Sequence, residues 1–170
     1  KVKGLVAEHP EYISAHTVTE AAASAAVILI AALPSALQEI TTAMGDVSEK
    51  VIIDAMNTLG PKPEPYTIST EALRAWTHSP HVVKCFNTTG FENMAAPRYG
   101  DTGLDMFMAG NSQKGKAIAR QLALDIGFDA CYDFGGDDKV SLLESFALAW
   151  INLAIFQKQG RDFGFKLLQR

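Results

Sequence analysis

The sequence predicts an α/β fold in which a mainly parallel sheet carries helices on both faces. Two observations predict it. Short apolar runs alternate with segments of helical periodicity, and the strongest run, Val27 to Leu33, lacks the polar alternation of a half-exposed strand. With 170 residues, 48% of them apolar, a single domain over residues 1–170 with one buried core is expected.

The elements follow in order. Tyr12 to His16 reads as a short edge strand. Thr17-Val18-Thr19-Glu20 has capping-box spacing and opens an alanine-rich helix. Val27 to Leu33 is expected to be a strand buried on both faces. Pro34 suits the first turn of the next helix, where a missing N–H costs nothing, and Gly45 suits its end. Val51 to Asp54 is a strand, and Gly60 to Pro65, with three prolines, is an extended loop. A helix over Thr70 to Thr77 leads to the strand His81 to Phe86. Asp105 to Ala109 is a further strand. Ser112 is placed to cap a helix whose apolar stripe includes Ile118, Leu122 and Ile126. Asp129 to Phe134 reads as the last strand, and Asp137 or Asp138 as the cap of the last helix. That helix is apolar almost all round, so one face needs cover from the carboxy-terminal tail or a second subunit. A homodimer through it is expected.

Composition narrows the partners. The net charge is -4, and Lys and Arg are scattered rather than gathered in a basic stripe, which argues against nucleic acid. The run Phe146 to Phe156 is broken by Asn152 and is too short to cross a bilayer, and no signal-peptide layout opens the chain. Two cysteines, Cys85 and Cys131, sit in strand-like segments and make no disulfide framework. A cytoplasmic protein acting on small molecules is expected.

In an open α/β sheet, ligands bind outside the carboxyl ends of the strands. Three strand ends carry suitable residues: Ala31-Ala32-Leu33-Pro34, Asp54-Ala55-Met56-Asn57 and Phe86-Asn87-Thr88-Thr89. Asparagine after a strand is often only a turn former, but two such ends beside a proline-started helix form a candidate crevice. A rival motif, Gly110 to Lys116, fits the phosphate-loop pattern G-x-x-x-x-G-K. Ala117 stands where such a loop needs Ser or Thr for Mg²⁺, and the acidic strand Val51 to Asp54 precedes the loop instead of following it. His78 and His81 have no third ligand at metal spacing, so no metal is expected. No nucleophile or acid–base pair stands out. Hydride transfer between bound cofactors needs none.

These stretches resemble the NADP oxidoreductase family typified by deazaflavin-dependent NADP reductases, related to the cytosolic domain of transmembrane ferric reductases. The most specific block is Val83-Lys84-Cys85-Phe86-Asn87-Thr88-Thr89-Gly90-Phe91-Glu92-Asn93-Met94. Val27 to Pro34, Val51 to Asn57, Asp105 to Gly110, Tyr132 to Gly136, and Leu143-Glu144 with Ala149 to Asn152 also match. The resemblance implies a Rossmann-like fold with NADP(H) lying across the strand ends, and a deazaflavin, a flavin or ferric iron as acceptor. Ala32, Leu33 and Pro34 would lie along the cofactor, Asn57 near its ribose–nicotinamide end, and Asn87 and Thr88 where nicotinamide meets the acceptor.

The sequence departs from the family in one large respect. The first βαβ unit, with its G-x-G-x-x-G turn for the pyrophosphate, has no counterpart here, because no G-x-G occurs in the chain. Ser35 replaces the familiar aromatic after the strand-end proline. The missing anion site implies weak or absent NADP(H) affinity for these 170 residues. Two other readings follow from the same residues: a non-catalytic Rossmann-like remnant serving dimerisation or ligand sensing, and a P-loop-like phosphate-binding protein.

Overall fold

The structure, a computed structural model, describes residues 2–170. Helix α1 (Val2–Glu8) is followed by irregular chain. The edge strand expected at Tyr12 to His16 does not form. Tyr12 is 86% exposed and only Ile13 of this stretch is partly covered, so the segment has no face to bury against a sheet. Thr17 and Glu20 make the expected reciprocal cap of α2 (Val18–Ser24), with Glu20 Oε2 accepting the Thr17 N–H at 2.9 Å.

Strand β1 (Val27–Ile30) leads through a tight 3-10 turn at Pro34–Ala36 into α3 (Leu37–Met44). Gly45 ends that helix at φ 68°, a conformation open to glycine at little cost. Then come β2 (Val51–Asp54), α4 (Ser69–Thr77), β3 (Val82–Cys85) and the short α5 (Phe91–Ala95). A two-stranded hairpin of β4 (Arg98–Tyr99) and β5 (Thr102–Gly103) precedes β6 (Asp105–Ala109), α6 (Gln113–Ile126) and β7 (Ala130–Asp133). The chain closes with α7 (Val140–Ile151), a wider π turn at Asn152–Phe156, and an irregular tail.

The five-stranded sheet has the order β1-β2-β3-β6-β7. Strands β1, β2 and β3 are parallel, β6 pairs with β3 antiparallel, and β7 is parallel to β6. The reversal sets the carboxyl ends of β6 and β7 on the opposite rim from those of β1 to β3. Alternation along the strands divides the core. Val51, Ile53, Val83 and Cys85 face α6, while Ile52 and Val82 face α3 and α4, with Ala22 of α2 in the same cluster. Phe107, Val140 and Leu143 form a third cluster under α7, to which Phe165 of the tail adds its ring 4.4 Å from that of Phe146. Cys85 and Cys131 are free and buried in the α6-side core, as expected of small hydrophobes. Burial pushes the Cys85 thiol well above its ordinary range.

Three further expectations change. β1 is the sheet's outer strand and not a doubly buried one, and Leu29 is 51% exposed. The buried stripe of α6 runs through Gly115, Ala119 and Ala123, leaving Leu122 and Ile126 at the surface, because small residues let the helix lie close on the sheet. Neither Asp137 nor Asp138 caps α7. The helix is preceded by a 3-10 turn at Asp137–Lys139 that puts Lys139 at its cap position, and the Asp137 carboxylate turns instead to Asn111 and Arg74. The whole helical stretch Asp137–Phe156, longer than the apolar run Phe146 to Phe156, has 20 residues and is long and apolar enough to cross a membrane by length and composition alone. Its Leu143, Ala147, Trp150 and Ala154 are buried in this fold, while Leu142, Leu148 and Phe156 are exposed.

Candidate functional site

The three strand tips singled out in the sequence lie side by side. Ile30 pairs in register with Asp54, and Asp54 with Lys84, so Ala31–Pro34, Ala55–Thr58 and Phe86–Thr89 leave the sheet on one rim. Asn57 and Asn87 meet there directly. Asn57 Nδ2 donates to the Asn87 carbonyl at 2.8 Å, and Asn87 Nδ2 donates to Asn57 Oδ1 at 3.0 Å. Asn57 is half-buried and Asn87 is 4% exposed. Of the four polar groups on the two amides, one has no partner among the described residues: the buried Asn87 Oδ1.

The backbone explains how Asn87 arrives in this position. Phe86 adopts φ 62°, a left-handed conformation that a bulky residue rarely takes. Its ring stays in the core, and the twist redirects the chain so that Asn87 turns toward Asn57 and not along the strand. Such strain, of order 1–3 kcal/mol, persists only where the surroundings impose it, and it gathers at functional sites.

The remaining predicted residues divide. Ala32 is half-buried, Leu33 projects into solvent, and Pro34 is buried at the start of its turn. Thr88 is buried with its hydroxyl directed at the Met106 sulfur, 3.7 Å away, so its side chain faces the core. An apolar groove of about 370 Å³ lies along β1, between α2 and α3, and takes in Ala32 but neither asparagine.

Beneath the tips is a group that reasoning from sequence missed. Lys84 and Asp54 are neighbours on the α4 and α7 face of the sheet, and both are fully buried. Lys84 Nζ contacts Asp54 Oδ2 at 3.0 Å, Ser69 Oγ at 3.0 Å and Glu144 Oε1 at 2.6 Å. The hydroxyls of Ser69 and Thr70 each donate to Asp54 Oδ2 at 2.6 Å. The available signal was a lysine and an aspartate inside strands otherwise apolar, since such residues are almost never fully buried unless paired.

The phosphate-loop look-alike sits on the opposite rim. Ser112 Oγ caps α6 through the Gly115 N–H at 2.9 Å and lies 3.1 Å from His81 Nδ1, at the start of β3. Lys116 Nζ donates to Asp133 at 2.9 Å and to the Gly135 carbonyl at 2.8 Å, while the Asn111 N–H donates to Asp137 at 2.9 Å. The cation and the turn's leading N–H are thus already engaged with the protein's own acceptors. This is an ordinary strand–turn–helix with a capping serine.

Parallel strands β1 to β3 with helices on both faces, and polar tips on their carboxyl rim, define a Rossmann-like α/β protein. Solved structures share that fold. A candidate F420-dependent NADP reductase from Arthrobacter sp. FB24 superposes with a TM-score of 0.81 at 23% identity, over 98% of this chain and 80% of its own. The hypothetical protein SMa0349 from Sinorhizobium meliloti has a TM-score of 0.69 at 24% identity, covering 79% of this chain and 68% of that one. A conserved hypothetical protein from Sinorhizobium meliloti 1021 has a TM-score of 0.55 at 15% identity, over 92% of this chain and 50% of that one. No protein-family model and no curated protein sequence matches the chain. At these identities the likeness is one of fold alone, a Rossmann-like α/β arrangement.

Proposed function

We propose that this chain is the Rossmann-like part of an NADP(H)-dependent oxidoreductase that passes a hydride between NADP(H) and a deazaflavin, flavin or similar acceptor. The observation that carries the reading is the orphaned Asn87 Oδ1. A buried acceptor without a donor costs about 1–3 kcal/mol, and the carboxamide NH₂ of a nicotinamide is a donor of complementary chemistry. Bound on this rim, the nicotinamide would supply or receive the hydride. The protein's part is then orientation: Asn87 would accept from the carboxamide, Asn57 would hold Asn87 in place, and Ala32 to Pro34 would offer close backbone approach along the cofactor. A site without a nucleophile suits this chemistry, because the reacting atoms belong to cofactor and acceptor. The fold of the Arthrobacter neighbour supports the reading at the level of class.

The test is a titration of the ¹⁵N-labelled chain with millimolar nicotinamide mononucleotide, followed by NADP⁺. Side-chain amide resonances of Asn57 and Asn87 should move with both ligands, and Asn87→Ala should abolish the response while leaving the backbone spectrum folded. Saturating ligand with no change on this rim would overturn the proposal and favour a non-catalytic module. The same reading includes a homodimer through the exposed side of α7, where Leu142, Leu148 and Phe156 lie open. Sedimentation of Leu148→Glu beside the parent chain tests it: the parent should sediment as a dimer and the variant as a monomer.

A further inference from the structure

We propose that Lys84, Asp54 and Glu144 act as a positioning cluster: one buried ammonium pins both ends of the loop that carries Asn57 and ties that loop to α7. The loop begins at Asp54, whose Oδ1 accepts the Met56 N–H at 3.0 Å. It ends at Thr58, whose hydroxyl donates to Glu144 Oε1 at 3.0 Å and whose N–H points to Oε2 at 3.4 Å. The Thr58 hydroxyl also accepts the Ser69 N–H at 3.1 Å, which brings the start of α4 into the same network. Lys84 Nζ joins the two carboxylates with two of its donors and gives the third to Ser69 Oγ. Asn57 thus hangs between two anchored residues, and Asn87 lies three residues beyond Lys84 on the same chain.

Stability alone does not account for such an arrangement. Apolar side chains of similar volume often fill the space of a buried ion pair with equal or greater stability, whereas charges with fixed directions hold a geometry that apolar packing leaves free. The particular arrangement also matters. Glu144 is the one member on α7, and its side chain alone is partly exposed, at 14%. Movement of α7 would therefore reach Asn57 through a carboxylate, a hydroxyl and one peptide unit.

The positioning claim stands on the tip geometry, and its consequence for ligand binding rests on the proposed nicotinamide site. The experiment follows the Asn57 and Asn87 side-chain amides in Glu144→Gln, which keeps the shape and removes the charge, and in Thr58→Val, which removes the linking hydroxyl. Lys116→Met serves as control, since it breaks a comparable buried lysine contact on the opposite rim. In the first two variants the tip amides should shift, and their exchange with water should rise roughly tenfold, as expected for a lost charge-assisted bond. The dissociation constant for nicotinamide mononucleotide should rise by a similar factor. The control should leave the tip amides unmoved even where it lowers the melting temperature as much. Unchanged tip amides in Glu144→Gln and Thr58→Val, or equal changes in Lys116→Met, would sink the cluster's role. Shifted tip amides without nucleotide binding in any variant would support the cluster and remove the nicotinamide reading.

Discussion

Phe86 and Asn87 carry most of what is unusual at the residue scale. In an ordinary strand, glycine is worse than alanine by about 0.5–1 kcal/mol. At Phe86, with φ 62°, the order should invert: Phe86→Gly is expected to be more stable than Phe86→Ala by about 1 kcal/mol, because only alanine keeps the left-handed penalty. Both should fall well below the parent, by about 3–5 kcal/mol for the alanine variant, since the ring is part of the core. Urea unfolding of the three proteins measures the order. Lys116 offers a second residue-level test. Lys116→Ala should cost about 0.5–1.5 kcal/mol by removing the bonds to the half-buried Gly135 carbonyl and the exposed Asp133, and the parent should give no Mg²⁺-dependent heat with ATP. Asn57 and Asn87 could be named from sequence because each follows an apolar run at a strand end. The Lys84 group could not, since its partners Asp54 and Glu144 lie 30 and 60 residues away and only the β2–β3 register and the placement of α7 unite them.

Elements were legible where local chemistry decided them and obscure where tertiary packing did. Thr17, Pro34, Gly45 and Ser112 marked helix ends correctly because a cap is written in one or two residues. The face of α6 is ambiguous in sequence because four-residue spacing fits both Ile118-Leu122-Ile126 and Gly115-Ala119-Ala123, and the close approach of the sheet selects the smaller set. A pair of substitutions separates these faces. Ala123→Leu should destabilise by about 1–3 kcal/mol through overpacking, while Ile126→Ser should change stability by less than about 0.5 kcal/mol. Chemical denaturation of each variant checks both values. The antiparallel turn of β6 was equally hidden. A run of apolar residues has no direction, and the β4–β5 hairpin before it, two residues to a strand, is too short to show a periodicity.

The whole molecule is closed by its tail. Asn93 Nδ2 and Trp150 Nε1 hold the Phe163 carbonyl, Phe165 enters the α7 cluster, and Lys166 reaches Asp105 and Asp129. Lys166, Arg98 and the Gly103 N–H together hold the Asp129 carboxyl down from 3.8 to about 2. A carboxyl lowered on folding stabilises the folded form above its unfolded value, and that contribution fades as pH falls toward the lowered one. The tail should therefore loosen between pH 3.8 and about 2, before the sheet unfolds. Amide exchange at Leu167, whose N–H donates to Asp105, compared with that of Ile52 in the core, measures the separation. At the other end of the sheet, the outward backbone of Val27 to Ile30 has no ladder partner among the described residues. Bare margins of this kind recruit further strands from neighbouring molecules. Concentrated solutions of these 170 residues should grow turbid on standing, and Leu29→Lys, which places a charge on the open face of that outer strand, should keep them clear.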